Sequence, residues 1–229
     1  LFEEKELEKE RKVIFEEIKM YHDTPKLYVF DKIQNYLYKS PLGSPLIGTY
    51  KTMNSINKKK IVEKFEQIYK SNNLVLCVVG DTNFDKLCKF AEERFGKEKG
   101  QVSKFKIKKR NKINSEKRKG IDQANLIFAY HVPLAGTKES YAAEVLITLM
   151  AGGMSSRLFS EIREKRNLAY SVKGASNINK DFAYSMIYVG TTPNAVKKVK
   201  KLILEEFSKV SESLSEKEFK EVKEQIIGN

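Results

Sequence analysis

Gly152-Gly153-Met154-Ser155-Ser156-Arg157-Leu158-Phe159, continuing through Ser160-Glu161-Ile162-Arg163-Glu164-Lys165 to Leu168-Ala169-Tyr170-Ser171-Val172, changes its apolar period partway along. The glycine pair opens a short helix that runs to Lys165, and residues 168–176 (LAYSVKGAS) then alternate as a strand does. Residues 182–191 (FAYSMIYVGT) alternate as its neighbour, and Pro193 begins a long helix. Upstream, residues 124–133 (ANLIFAYHVP) read as a further strand, and Glu139 to Met150 as a helix with a broad apolar face. Strands alternating with helices make one α/β unit. Taken alone, the block leaves Arg163 an exposed helix residue and Tyr170 an ordinary strand residue.

A first unit precedes this one. Residues 3–21 read as a helix rich in Glu and Lys, and Asp23-Thr24-Pro25 sets a capping residue before Pro at the first position of a second helix, which runs to Tyr38. Pro and Gly punctuate the loop from Ser40 to Gly48, and Asn57 caps a helix reaching Lys70. The apolar run at 74–80 (LVLCVVG) suits a buried strand, and Asp85 to Phe95 an amphipathic helix ended by Gly96. The expected domains are 1–99, a basic linker at 100–120, and 121–229. One helix pattern recurs at a domain-sized offset: Glu4-Lys5-Glu6-Leu7 matches Glu216-Lys217-Glu218-Phe219, which suggests gene duplication.

Composition bounds the rest. Of 229 residues 41% are hydrophobic, enough for a substantial core, and no apolar run is long enough to span a bilayer, so no membrane partner is expected. The net charge of +13 is densest at 104–119 (KFKIKKRNKINSEKRK), whose single acid is Glu116. Without apolar periodicity or a nucleic-acid motif beside it, this run reads as a solvated linker, and no nucleic-acid partner is expected. Cys77 and Cys88 lie in apolar stretches and read as buried thiols of a reducing compartment, consistent with a cytoplasmic location. The chain begins at Leu1 rather than Met and ends within a helical pattern, so both ends read as cut.

On a helical wheel Leu7, Val13, Ile14, Ile18 and Met20 gather into one apolar arc, and Glu10 and Glu17 fall inside it, two turns apart on the same face. An unpaired buried carboxylate costs several kcal/mol or takes up a proton. Either cations pair with these two, or the face is less buried than its pattern implies. In the recurring helix the aligned residues are Val222 and Asn229, so only the first copy carries the acids.

The run Glu10-Arg11-Lys12-Val13-Ile14-Phe15-Glu16-Glu17-Ile18 resembles the E-R-x-V-I-x-x-E-I segment of the pitrilysin, insulinase and mitochondrial-processing peptidases, the inverted zincins. The block at 152–172 resembles the same family's G-G-x-S-S-R-L-F and R-E-x-x-x-L-A-Y-S-V pattern and is the more specific match. The likeness extends over nearly the whole chain, including Pro41-Leu42-Gly43 and Phe95-Gly96. It implies an α+β fold of two related, sandwich-like α/β halves, a metallopeptidase roll, the first incomplete at its N-terminus and the second at its C-terminus.

It also implies a zinc metalloendopeptidase whose partner is an extended peptide or protein substrate; a homo- or hetero-dimer is compatible with it. On this resemblance Glu17 is the third zinc ligand, and Glu10 is the supporting acid beside it. Arg163 and Tyr170, from the second half, hold the substrate backbone and carbonyl, while Arg157 and Glu164 tie their helix down. A metal held by two imidazoles and one carboxylate keeps a position open for water. The family's H-x-x-E-H, source of two zinc ligands and the general base, is absent, and His22 and His131 stand alone. The 229 residues are therefore expected to be inactive by themselves, with that motif upstream of Leu1. The alternative is a non-catalytic peptidase-like subunit of a processing or core complex.

Overall fold

A computed structural model describes residues 2–96, 100 and 105–228. Residues 101–104 of the expected linker, the Lys104 end of the basic run and Asn229, the repeat partner of Glu17, lie outside the described residues. In chain order the elements are helices α1 (Glu4–Asp23), α2 (Pro25–Leu37), α3 (Tyr50–Asn54), α4 (Lys58–Ile68) and α5 (Phe84–Phe95), then strand β1 (Ala124–His131) and helix α6 (Lys138–Ala151). A π-helical turn (Phe159–Glu164), strands β2 (Ala169–Ile178) and β3 (Ala183–Thr191), and helices α7 (Val196–Ser213) and α8 (Glu216–Ile227) complete them. The fold is α+β, and no helix among the described residues is long and apolar enough to cross a membrane. The described residues of Leu1–Met20 and Ile47–Lys106 make one compact unit, those of Tyr21–Leu46 and Ile107–Asn229 the other.

In the first unit, Arg11 reaches from α1 to the end of α3 and the chain after it, its Nη1 donating to the Met53 carbonyl and its Nη2 to that of Ile56 at 2.9 Å. The Phe15 and Tyr50 rings pack with centroids 5.0 Å apart. Asn57 and Asn83 cap α4 and α5 by accepting from the amides of Lys60 and Lys86, each at 3.0 Å, satisfying donors that a helix start leaves orphaned. The strand expected at 74–80 does not form. A strand needs a ladder to satisfy its backbone, and this unit offers no strand among its described residues, so Val75 and Val79 stand about 95% exposed. Cys77, on that run, is exposed and Cys88 half-buried, which corrects the expectation of two buried thiols.

The second unit is built on an antiparallel sheet of order β1–β3–β2. Alternation in β3 sends Ile187 and Val189 to one face, where Ile147, Met150, Leu158, Ile162, Val199 and Ile203 pack against them from α6, the π turn and α7. Tyr184 and Met186 face the other way and meet Ile33, Leu37 and Tyr38, at the end of α2. Tyr38 is wholly buried, and its hydroxyl donates to the Ala183 carbonyl at 2.9 Å. The described part of the basic run is mostly exposed and is tied to α2. The amides of Arg110 and Lys112 donate to the carbonyls of Leu37 and Tyr36 at 2.8 and 3.0 Å. Arg118 lies 4.0 Å above the Tyr28 ring and pairs with Glu116 at 2.7 Å. Peptide groups and the side chains of Arg110, Asn114 and Arg118 hold the segment, while most of its lysines remain exposed.

Candidate functional site

Tyr170 owes its position to an irregularity in β2. Ala169 pairs with Thr191 and Ser171 with Gly190, so Tyr170 has no partner on β3 and forms a bulge. The cause lies in the sequence: Ala169 and Val172 are both core residues, yet residues three apart cannot share a face of a regular strand. The bulge lets both face the helices and turns Tyr170 out onto the opposite face, 46% exposed. There its ring lies across Gly190, where any Cβ would overlap it. Its phenol is 3.4 Å from that of Tyr188, which in turn donates to Asn125 Oδ1 at 2.8 Å. The approach to the bulge is fixed by buried Thr191, whose hydroxyl donates to the Leu168 carbonyl at 2.5 Å.

Arg163 sits on the π turn just before it. The amide of Lys165 bonds the Ser160 carbonyl five residues back at 2.9 Å, and Asn167, in the left-handed region at φ 49°, ends the turn. Leu158, Phe159 and Ile162 are buried on the core side, leaving Arg163 exposed with its guanidinium 4.9 Å from the Phe159 ring centroid. It makes no ion pair among the described residues, so its planar fork of donors is free for a ligand. Arg157, by contrast, is committed to Glu218 on α8, whereas Glu164 is exposed.

Glu10 and Glu17 belong to the first unit. Both are exposed, α1 buries no residue, and Val13 on the same arc is 51% exposed. A solvated carboxylate pays no desolvation penalty, so the buried-charge argument for a paired cation does not hold here. Glu10 borders a small cavity with Leu7, Arg11, Ile14, Met53 and Ile61. Among the described residues no three His, Cys, Asp or Glu side chains group as metal ligands. Glu17 supplies one donor where zinc takes four, so these residues do not fit a zinc ion by themselves. His22 lies edge-on to Tyr28, centroids 5.7 Å apart, and His131 is within 3.3 Å of the Tyr38 hydroxyl and the Arg110 carbonyl. His131 is half-buried among these contacts, whereas His22 is exposed.

Sequence reasoning missed Tyr188, Asn125 and Gly190. A glycine inside a strand pattern signals a bulge or a close approach, and Gly190 was legible in that way.

A protein-family model described as "Peptidase M16 inactive domain" matches residues 55–226. A Rickettsia felis protein named "Uncharacterized zinc protease" is 33% identical over 232 residues, covering 100% of this chain and 56% of its own length. In fold the chain is similar to a protease from Helicobacter pylori, with TM-score 0.84 and 22% identity over 100% of this chain and 58% of that one. It is similar also to a chain of complex III2 from Candida albicans, with TM-score 0.81 and 20% identity over 95% of this chain and 55% of that one. The chain spans little more than half the length of the curated relatives it matches.

Proposed function

This chain belongs to the peptidase M16 family, through that family's inactive domain, and from that premise we propose that it forms part of a zinc-dependent metalloendopeptidase acting on extended peptides. What supports the reading is the bulge that turns the Tyr170 side chain out onto the sheet face and, seven residues earlier in sequence, an exposed Arg163 that makes no ion pair among the described residues. The guanidinium of Arg163 would take the substrate backbone through its carbonyls. The phenol of Tyr170 would donate to the scissile carbonyl oxygen as negative charge develops on it, an interaction that strengthens toward the transition state. Glu17 would be one zinc ligand in the whole protein, the others coming from outside these 229 residues, with Glu10 as the supporting acid. The 229 residues by themselves would be inactive, the whole protein cytoplasmic, its assembly a homo- or hetero-dimer.

The test is Glu17→Gln in the full-length protein. Replacing a charged ligand by a neutral amide is expected to release zinc, measured by metal analysis after dialysis, and to abolish peptide hydrolysis. A zinc-replete, active variant refutes the ligand assignment.

Exposure of both carboxylates and the fold shared with a chain of complex III2 favour a second reading, a non-catalytic peptidase-like subunit. Full-length wild-type protein that holds no zinc and cleaves no peptide would establish it in place of the first.

A further inference from the structure

We propose that Tyr188, held by Asn125, is a positioning residue that sets the Tyr170 phenol across the bare backbone of Gly190. The inference rests on the reading of Tyr170 as a substrate-contacting donor.

An amide oxygen only accepts, so the bond to Asn125 Oδ1 commits the single proton of Tyr188. Toward Tyr170 the Tyr188 oxygen can then only accept, which directs the Tyr170 O–H along the sheet surface rather than into solvent. Tyr188 cannot follow a wandering partner. It is 1% exposed, with the Phe30 ring centroid 5.3 Å away and the Lys26 ammonium 5.3 Å from its own ring centroid. Burial pushes its phenol above the usual tyrosine value, so it stays protonated at neutral pH.

The contact between the phenols is long, 3.4 Å, and a neutral hydrogen bond of that length is weak. An oxyanion forms a bond roughly twice as strong as a neutral acceptor does. The Tyr170 oxygen is therefore held in place at rest by a bond weak enough for its proton to turn to an oxyanion when charge appears. Gly190 completes the device, since a side chain there would lift the ring off the sheet.

Full-length protein tests this with Tyr170→Phe, Tyr188→Phe and the double variant, each assayed for peptide hydrolysis and labelled with 13C at the tyrosine Cζ. Tyr188→Phe keeps the buried ring and removes only the hydroxyl. It is expected to shift the Tyr170 Cζ resonance and to lower kcat about three- to tenfold with KM little changed, the range for one neutral hydrogen bond. In the Tyr170→Phe background the same substitution should change kcat no further. A Tyr170 Cζ resonance that ignores Tyr188→Phe overturns the positioning role whatever the kinetics show. Equal losses of kcat in both backgrounds also overturn it, because Tyr188 would then act through the fold. Unchanged kcat in Tyr170→Phe alone instead overturns the functional reading of Tyr170, and the inference falls with it.

Discussion

Arg157 and Glu218 meet at two points, Nε and Nη2 of the guanidinium each lying 2.6 Å from a different carboxylate oxygen. Nη2 also donates to the Ser213 carbonyl at 3.1 Å. One residue thereby fastens both the C-terminal end of α7 and the first turn of α8 to the segment that carries Arg163. The pair lies mostly out of solvent, at 14% and 28% side-chain exposure. Its two-point geometry is the strong form of an ion pair.

Glu218→Gln is therefore expected to destabilise the second unit by about 1.5–3 kcal/mol, the range for hydrogen bonds to charged groups. Urea unfolding followed by circular dichroism should show a lower midpoint with an unchanged slope. The pH dependence has a definite sign. The Arg157 hydrogen bond holds the Glu218 carboxyl below its ordinary value of 4.5. Its stabilisation is thus present above pH 4.5 and lost as pH falls through the folded value. Wild type and Glu218→Gln should converge in acid; a gap that persists there would mean the loss is steric.

Tyr38→Phe removes the hydroxyl that joins the end of α2 to the sheet at Ala183. The Ala183 carbonyl keeps a second donor, the Val132 amide at 3.3 Å, but the His131 ring loses the hydroxyl 3.3 Å from its Nδ1, so the cost should be about 1–3 kcal/mol. Burial raises the Tyr38 phenol above its ordinary value of 10.0. Its contribution is therefore intact below pH 10 and lost as pH rises through the folded value. Denaturation in strong alkali should narrow the difference between wild type and variant, and a difference that grows with pH would contradict this.

Cys77 lies on an exposed extended run and Cys88 is half-buried. In the 229-residue chain a disulfide reagent should modify Cys77 at close to the rate of a free thiol and Cys88 more slowly, as mass spectrometry of Cys77→Ser and Cys88→Ser would resolve. Two thiols that react only after denaturation would mean that the run at 74–80 is covered in solution.

What could be read from the sequence followed period and punctuation. Asn57 and the strand pair 169–178 and 183–191 were legible because capping chemistry and two-residue alternation are local. The run at 74–80 was misread because its apolar residues signal a strand only where another strand completes the ladder, and that depends on chain far away. For Glu10 and Glu17 the sequence left a buried and an exposed face open, because a helical wheel reports periodicity and not what packs on it. Tyr170 and Arg163 were legible only through the family block. The bulge that aims Tyr170 follows from Ala169 and Val172 both seeking the core, a conflict visible only once the register against β3 is known.

Arg163 and Tyr170 should separate in the steady-state kinetics of the full-length protein. Tyr170 is proposed to donate to an oxygen whose charge develops only in the transition state. Tyr170→Phe should therefore lower kcat and kcat/KM together, by about a hundred- to a thousandfold, the usual cost of about 2.7–4 kcal/mol for one such donor. Arg163 is proposed to grip neutral backbone carbonyls that are present from binding onward. Arg163→Lys keeps the charge but loses the planar fork, so it should raise KM about tenfold, one lost hydrogen bond, with kcat little changed. Both residues have exposed side chains, so neither change should shift the unfolding midpoint. Peptide hydrolysis over a range of substrate concentrations, beside urea unfolding of each variant, makes the comparison. A Tyr170→Phe protein with unchanged kcat returns Tyr170 to an ordinary strand residue. An Arg163→Lys protein that loses kcat at unchanged KM would place the guanidinium on the developing oxyanion instead.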